Sequence, residues 1–216
     1  MRKPDILKKL EIDSFTDALT WAKAEETEIS GRLFENEAVC AAELDSIECS
    51  GCLLRGMRFV DCRADRAYFC DCRFEACDLS LLAMRGASLI RCSFSECKLE
   101  GAALSDAVLR DVSFDKCNLR YVNFSFSSLV QTEFYGSVLT EAFISGCKVK
   151  KILFSECDLS GVSFFSTPLA GVDLSGCHLE GITASGADLC GALITPQQAA
   201  DVVGLFGIKL KNEEDN

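Results

Sequence analysis

The sequence contains no apolar run approaching the roughly 18 residues that a membrane-spanning helix requires. Its first residues mix charges with short apolar pairs, so neither a secretory signal nor its cleavage site is expected. No phosphate-binding loop, nucleophile elbow or dinucleotide fingerprint occurs, and the chain has a single histidine, His178. We therefore predict a cytoplasmic protein with no catalytic residues, no cofactor, no metal site and no membrane segment.

Basic residues are also in deficit, because the net charge is −11 and the pI is near 4.6. This balance argues against direct binding to nucleic acid or to an anionic membrane, and it suits a basic partner. Fourteen cysteines would indicate a disulfide scaffold in a small secreted domain, but here their spacing has another explanation.

The dominant pattern is a period of five residues. Every fifth residue from Ile29 to Ile194 is apolar, which makes 34 central positions without one slip of register. Thirteen of the 15 glycines lie two residues after a central position, as expected where the backbone must turn. Small residues, mostly alanine and cysteine, lie two residues before it. Because five matches neither the helical nor the strand period, the chain must turn at each repeat.

Identical side chains recur every twenty residues, which indicates four repeats per coil. One such series consists of phenylalanines, namely Phe74, Phe94, Phe114, Phe134 and Phe154. The pattern predicts a square tube of about eight coils, roughly 40 Å long at the spacing of paired strands.

The repeats resemble those of the pentapeptide-repeat family, whose consensus is of the type A(D/N)LxG. The stretches ASGADLCGAL at 184–193 and GVDLSGCHLEG at 171–181 carry the resemblance, which covers about 29–194. It implies an all-β solenoid, a right-handed quadrilateral β-helix. The segment 194–210 looks like the end of the quinolone-resistance (Qnr-type) branch, where a C-terminal helix caps the coil and pairs two subunits. Members of that branch bind DNA gyrase and topoisomerase IV as DNA mimics.

Three segments are therefore expected: an N-terminal helical cap (1–28), the β-helix (29–194), and a C-terminal helix with an acidic tail (195–216). The first segment suggests two short helices, one starting at Pro4 and one capped by Ser14 with Asp17. An apolar stripe in the second helix would cover the open first coil or bind a partner. Its members are Phe15, Ala18, Leu19 and Ala22.

Ten of the cysteines occupy the small position, where we interpret them as compact buried residues. Stacked cysteines would form a row instead of the tetrahedron that zinc requires. Cys49 and Cys52 have the spacing of a redox CxxC pair, but both fall on inward positions.

The predicted binding surface is acidic, since no basic residue lies between Lys151 and Lys209. Its candidate residues are Glu156, Asp158, Asp173, Glu180 and Asp188. The homodimer implied by the resemblance would bury apolar residues of the C-terminal helix, namely Val202, Leu205, Phe206 and Ile208. A merely solvated acidic surface remains open, because −11 over about 40 Å is only about half the charge density of B-DNA.

A further surface is apolar. The outward positions around Leu89 and its equivalents include Tyr68, Ile90, Val108 and Val130, which predict a wall covered by the N-terminal helix, another subunit or a partner. Two functions remain from the sequence: a DNA-mimicking gyrase or topoisomerase IV binder that relieves quinolone action, and a generic scaffold for another protein.

Overall fold

The computed structural model describes residues 1–5 and 10–209, which form a β-solenoid with short helices near its two ends. Helix α1 spans Phe15–Ala24 and helix α2 spans Ala199–Val202, followed by a 3-10 turn at Val203–Phe206. None of the helices within these ranges has the length and apolarity needed to cross a bilayer. The strands are β1 Glu11–Ile12, β2 Ile29–Ser30, β3 Arg32–Glu35, β4 Ala38–Cys40, β5 Glu48–Ser50, β6 Leu53–Arg55, β7 Arg58–Val60, β8 Tyr68–Cys70, β9 Arg73–Glu75, β10 Ser88–Ile90, β11 Ser93–Ser95, β12 Val108–Asp115, β13 Ser128–Tyr135, β14 Lys148–Lys150 and β15 Leu153–Ser155.

All strand pairs within the repeats are parallel and offset by twenty residues, as in Leu89↔Leu109 and Phe94↔Phe114. The prediction of four repeats per coil is therefore confirmed. We name each wall after one central residue, whose equivalents recur every twenty residues. They are the Leu89 wall (29–189), the Phe94 wall (34–194), the Leu99 wall (39–179) and the Leu104 wall (44–184).

The five phenylalanines of the Phe94 wall form one stack inside the tube. Successive ring centroids from Phe74 to Phe154 are 4.5, 4.9, 5.0 and 5.1 Å apart, and the rings are within 13° of parallel. The separation equals the distance between paired strands, because each ring stands on its own coil. Phe124 contacts the stack edge-on and fills the interior from the Leu104 wall.

The small position is also buried, as the ten cysteines there show. Most of these thiols donate to the carbonyl of a central residue 23 positions earlier, on the neighbouring wall of the preceding coil. Cys77 Sγ, for example, donates to Leu54 O at 3.3 Å. The hydroxyls of Ser127, Ser137 and Thr167 make the same bond, as Thr167 Oγ1 does to Ile144 O at 2.6 Å, whereas the buried Thr132 hydroxyl has no partner among the described residues. The small position therefore supplies hydrogen-bond donors as well as volume, which the period alone does not reveal.

Glycines mark the corners because the backbone there is left-handed. Every corner position from Gly31 to Gly171 has φ between 50° and 77°, including corners occupied by bulky residues. Outside glycine this conformation costs about 1 kcal/mol. Gly146 is needed for a second reason, because a Cβ there would lie 2.7 Å from Cδ1 of Phe126 on the coil below.

The solenoid has about seven turns, slightly fewer than the eight expected from the sequence. On the Leu89 wall the strand ladder ends at β14. Pro168 explains this end, because it occupies the position at which Lys148 donates its N–H to Ser127 O at 2.9 Å. Proline has no N–H to continue that ladder.

The N-terminal cap contains one helix, not two, within its described residues. Residues 1–5 are not helical, and part of the expected first helix, 6–9, lies outside the described residues. Helix α1 is capped by the Ser14 side chain, which accepts the Asp17 N–H, and its four predicted apolar residues are buried. Its Phe15 ring contacts Phe34 and Phe59 edge-on, so the helix closes the first coil.

The C-terminal end is closed by Gln198, whose amide donates to Leu174 O at 2.9 Å and to Cys177 O at 2.6 Å. Gln198 also exchanges two hydrogen bonds with Thr195, which hold it over the coil. The bond to Cys177 O replaces the one that the coil above supplies elsewhere, such as that from the Lys98 N–H to Cys77 O at 2.9 Å. The acidic tail beyond residue 209 lies outside the described residues.

Candidate interaction surfaces

The described residues contain no cluster of three metal-ligating side chains. His178 and Cys177 are neighbours in the sequence but lie on opposite sides of the wall, since Cys177 is buried and His178 is exposed. In the CxxC pair, burial raises the pKa of Cys49, and a hydrogen bond from the Cys52 thiol to Cys72, together with burial, raises the pKa of Cys52. Both thiols stay protonated, which is the opposite of a redox pair.

Four of the five predicted acidic residues face outward at the C-terminal end. Glu156 lies on the corner between the Phe94 and Leu99 walls, Asp158 and Glu180 lie on the Leu99 wall, and Asp173 lies on the Phe94 wall. Asp158 is half-buried, whereas the other three are exposed. These four predicted residues therefore lie on two adjoining walls and the corner between them.

Asp188 is a correction, because its side chain is buried on the Leu89 wall instead of forming part of the acidic surface. Its carboxylate accepts the N–H groups of Ser166 and Ser185 and the Ser185 hydroxyl, at 3.1, 3.0 and 2.7 Å. The hydroxyl and these amides lower the pKa of Asp188. Its role is to hold the turn, since hydrogen bonds of this kind stabilise a buried carboxylate.

Asp158 and Asp173 combine charge with a structural role. Each accepts the N–H two residues on, from Ser160 at 3.0 Å and from Ser175 at 2.9 Å, as in an Asx turn. Partial burial tends to raise the pKa of Asp158, but hydrogen bonds from Ser160 and Thr140 lower it overall. Both residues therefore keep their negative charge at neutral pH.

Three carboxylates share one cleft. A cleft of about 310 Å³ lies between the Leu99 wall and helix α2, and it is lined by Asp158, Glu180 and Asp201 together with His178 and Gln197. None of the described residues that line it is a lysine or arginine. The cleft is wide enough for a side chain and carries the charge that attracts a basic one.

Acidic residues of the N-terminal half are neutralised differently. Arg55 bridges Glu35 and Glu75 on the coils below and above it, at 2.8 and 2.9 Å. Arg63 pairs with Asp45, and Arg91 pairs with Asp71. These partly exposed pairs contribute little stability. They offset part of the negative charge of the first coils, whereas residues 152–208 have no lysine or arginine to do so.

The predicted apolar Leu89 wall is only partly exposed. Tyr68 and Val108 are 39% and 37% exposed, whereas Ile90 and Val130 are half-buried. Residues 1–5 run along the corner beside this wall, where Arg2 N–H donates to Asp111 at 2.8 Å and Asp5 N–H to Asp71 at 3.0 Å. That another subunit or a partner covers the rest of this wall stays a prediction.

The predicted dimer residues divide into two groups. Val202 is buried in its own subunit and Leu205 packs partly against the same core. Val202 is therefore removed from the candidate interface by its own burial. Phe206 and Ile208 are 51% and 54% exposed. The dimer through the C-terminal helix stays a prediction that rests on these two residues.

The largest exposed aromatic group was not predicted. It lies on the Leu104 wall and its corners, and its members are Tyr121 (52% exposed), Phe126 (70%), Phe143 (48%) and Phe165 (51%). The sequence carries a signal for it, because two of these residues replace glycine at corners and two replace the small polar residues beside the centre.

The geometry defines a β-solenoid scaffold. Two positions of every five fill its core, and the other three form the outward surfaces described above. Family models bear this out: the model described as "Pentapeptide repeat region" matches residues 67–144. The model described as "Pentapeptide repeats (8 copies)" matches residues 145–181 and 169–195. The chain belongs to the pentapeptide-repeat family. No curated protein sequence matches it significantly.

Solved structures of the same repeat are similar at low identity. The full-length plasmid-mediated fluoroquinolone resistance protein QnrB1 is 20% identical over 83% of this chain and 92% of its own, with a TM-score of 0.40. A pentapeptide repeat protein of the Arabidopsis thaliana thylakoid lumen is 23% identical over 42% and 63%, with a TM-score of 0.41. HetL of the cyanobacterium Nostoc is 18% identical over 81% and 94%, with a TM-score of 0.28.

Proposed function

We propose that this protein is a non-catalytic scaffold whose acidic C-terminal third binds a basic protein surface that otherwise holds DNA. The carrying observation is the set of outward carboxylates around one cleft, in a stretch that has no basic residue. A basic side chain of a partner would enter the cleft and meet Asp158, Glu180 and Asp201. The same field repels nucleic acid and anionic membrane, so neither is a direct partner.

Charge density supports a DNA-like surface at this end only. Residues 152–194 form about two coils, about 10 Å of axis at about 4.8 Å per coil. They carry four outward carboxylates and no lysine or arginine. The same length of B-DNA carries about six phosphates, so the two densities are comparable. The preceding coils, with their arginine bridges, are close to neutral.

We further propose DNA gyrase and topoisomerase IV as the partners, in line with the resemblance of the C-terminal segment to the quinolone-resistance branch. Both enzymes present basic surfaces to DNA. Binding would compete with DNA for the enzyme, and it would relieve a quinolone that acts on the DNA-bound form.

A supercoiling assay tests the proposal, with and without a quinolone, and with binding measured in parallel at several salt concentrations. We expect the protein to inhibit supercoiling at high concentration, to relieve the drug at low concentration, and to bind more weakly as salt rises. Glu156→Gln with Glu180→Gln should weaken binding, because it removes two charges of the acidic surface.

Glu96→Gln is the matched control, since Glu96 occupies the same exposed corner as Glu156 three coils earlier. Equal effects of Glu96→Gln and Glu156→Gln would contradict a role for the C-terminal third. Absence of any binding to either enzyme would exclude the topoisomerases and leave the general scaffold. The near-neutral middle coils favour that second candidate function, because they offer a surface suited to a partner without strong charge.

A further inference from the structure

The Leu104 wall is uncharged over its last five coils. Its outward positions from Ala103 to Ser185 are alanine, asparagine, serine, threonine and phenylalanine. Each of the other three walls carries charged side chains over the same coils, such as Lys148 on the Leu89 wall and Glu133 on the Phe94 wall. In a chain of net charge −11 this is the wall that repels another negatively charged protein least, because its only carboxylates over these coils are Asp106 and Glu141 at its corners.

The polar groups of this wall are already paired with one another. Ser145 Oγ lies 2.9 Å from Ser163 Oγ, and the Ser125 N–H donates to Asn123 Oδ1 at 2.9 Å. Removing water from such a surface therefore leaves few groups unsatisfied. The side chain of Glu141, at a corner of this wall, extends along that corner towards Gly161, because a Cβ added at Gly161 would lie 2.9 Å from the Glu141 Cδ.

Its aromatic side chains are half-exposed or more, and they continue to the C-terminal end. Phe206 lies against the corner at Gly186, where an added Cβ would be 3.0 Å from its Cδ1. The five exposed rings of Tyr121, Phe126, Phe143, Phe165 and Phe206 offer roughly 500 Å² of apolar area, at about 200 Å² per ring. A stable dimer buries about 800 Å² on each partner. The two exposed residues of the C-terminal helix alone fall well short of that area.

We propose that a second copy of this chain docks antiparallel on the Leu104 wall. The two-fold axis would lie in the plane of the wall, across the solenoid, halfway between the coils of Ile144 and Phe164. Under this symmetry each residue faces a partner residue on the same side of the wall, in the coil equally far beyond the axis. The same contact then occurs a second time with the two subunits exchanged.

The mirrored positions are complementary, because three of the four exposed rings meet a small residue. Phe143 faces Ser163 of the partner subunit, Phe165 faces the partner's Ser145, Tyr121 faces the partner's Gly181, and Phe126 faces the partner's Gly186 beside the partner's Phe206. Knobs and hollows therefore coincide at three pairs of positions, and at the fourth Phe126 meets the partner's Phe206, which covers the partner's Gly186. This register, with the lack of charge, is the reason for choosing a second copy over another partner.

The test combines sedimentation equilibrium with small-angle scattering of the full chain. Each coil adds about 4.8 Å and a helix at each end about 10 Å. The overlapped dimer should then have a maximum dimension of about 80 Å, and a dimer joined only at its C-terminal ends about 110 Å. A monomer throughout the micromolar range, or a dimer of the longer dimension, would overturn the proposal.

Paired variants identify the face. Phe143→Ser with Phe165→Ser should raise the dimer dissociation constant at least about a hundredfold, because two large apolar side chains leave each half of the interface. The control is Tyr135→Ser with Leu153→Ser, which truncates two side chains of similar exposure on adjacent coils of the Phe94 wall. The control should change the constant less than about threefold. Equal effects of the two pairs would overturn the proposal.

A charge variant covers the case in which the serine pair fails to fold. Thr183 is exposed on the Leu104 wall, and the proposed axis places it opposite Asn123 of the partner subunit. Thr183→Glu should weaken the dimer at least about tenfold by burying a carboxylate. Ser175→Glu, exposed on the Phe94 wall, should leave it unchanged. A dimer that tolerates Thr183→Glu as well as it tolerates Ser175→Glu would refute the antiparallel interface.

Discussion

Phe114 lies at the middle of the stacked rings and offers a direct measurement of what the stack contributes. Its side chain is fully buried, with Phe94 and Phe134 at 4.9 and 5.0 Å and Phe124 edge-on at 6.1 Å. Phe114→Ala would remove about 100 Å³ from this site. At about 24 cal/mol per Å³ the cavity costs about 2 kcal/mol, and the lost transfer free energy brings the total to about 3–5 kcal/mol.

The cavity cannot collapse easily, because the neighbouring rings are held one coil apart by the strand ladder. Denaturant unfolding followed by circular dichroism measures the change in the free energy of unfolding. The control is Leu81→Ala, whose side chain is 79% exposed at a corner and should contribute less than about 0.5 kcal/mol. A loss below about 1 kcal/mol for Phe114→Ala would refute the account of the stack as a rigid core.

Two further predictions concern buried polar groups. Thr167→Val keeps the shape of the side chain but removes the hydroxyl that donates to Ile144 O and accepts the Cys147 N–H. We therefore expect a loss of about 2–3 kcal/mol in the free energy of unfolding. An unchanged free energy of unfolding would contradict the role given to this position. Asp188 has a pKa below its unfolded value of 3.8, so its stabilisation is present above that pH and is lost as the pH falls through the folded pKa. The difference in melting temperature between the natural chain and Asp188→Asn should therefore shrink below about pH 4, and a constant difference would mean that Ser185 does not favour the charged form.

The sequence alone predicts the interior well, since the same physical demand recurs at every coil. Phe94, Leu99 and Leu104 lie inward because a central position can face only the core, and any slip of register would expose it. Ser14 is predictable for a similar reason, because an N-cap satisfies a local amide and its partner Asp17 is three residues away.

The misjudged residues depend on contacts that no period encodes. Asp188 looks like a surface carboxylate until Ser166, on the preceding coil, is seen to donate its N–H to it. Val202 belongs to a helix whose direction of approach to the last coil is set by Gln198. Both cases involve the ends of the repeat, where the regular partner one coil away is replaced by something else.

Because each position of the five-residue repeat has a fixed role, only some positions are available for binding. Two positions of every five are committed to the core, so a partner can read only the two positions beside the centre and the corner. In the first coils those positions are used by arginine–carboxylate pairs and by the N-terminal segment, as Asp71 shows by accepting from both Arg91 and the Asp5 N–H. In the later coils the same positions make no arginine–carboxylate pair with any described residue, and they separate into an acidic side and an aromatic side. Because these two sides adjoin at the Leu99 and Leu104 walls, a dimer on the aromatic side would leave both acidic clefts open to a partner.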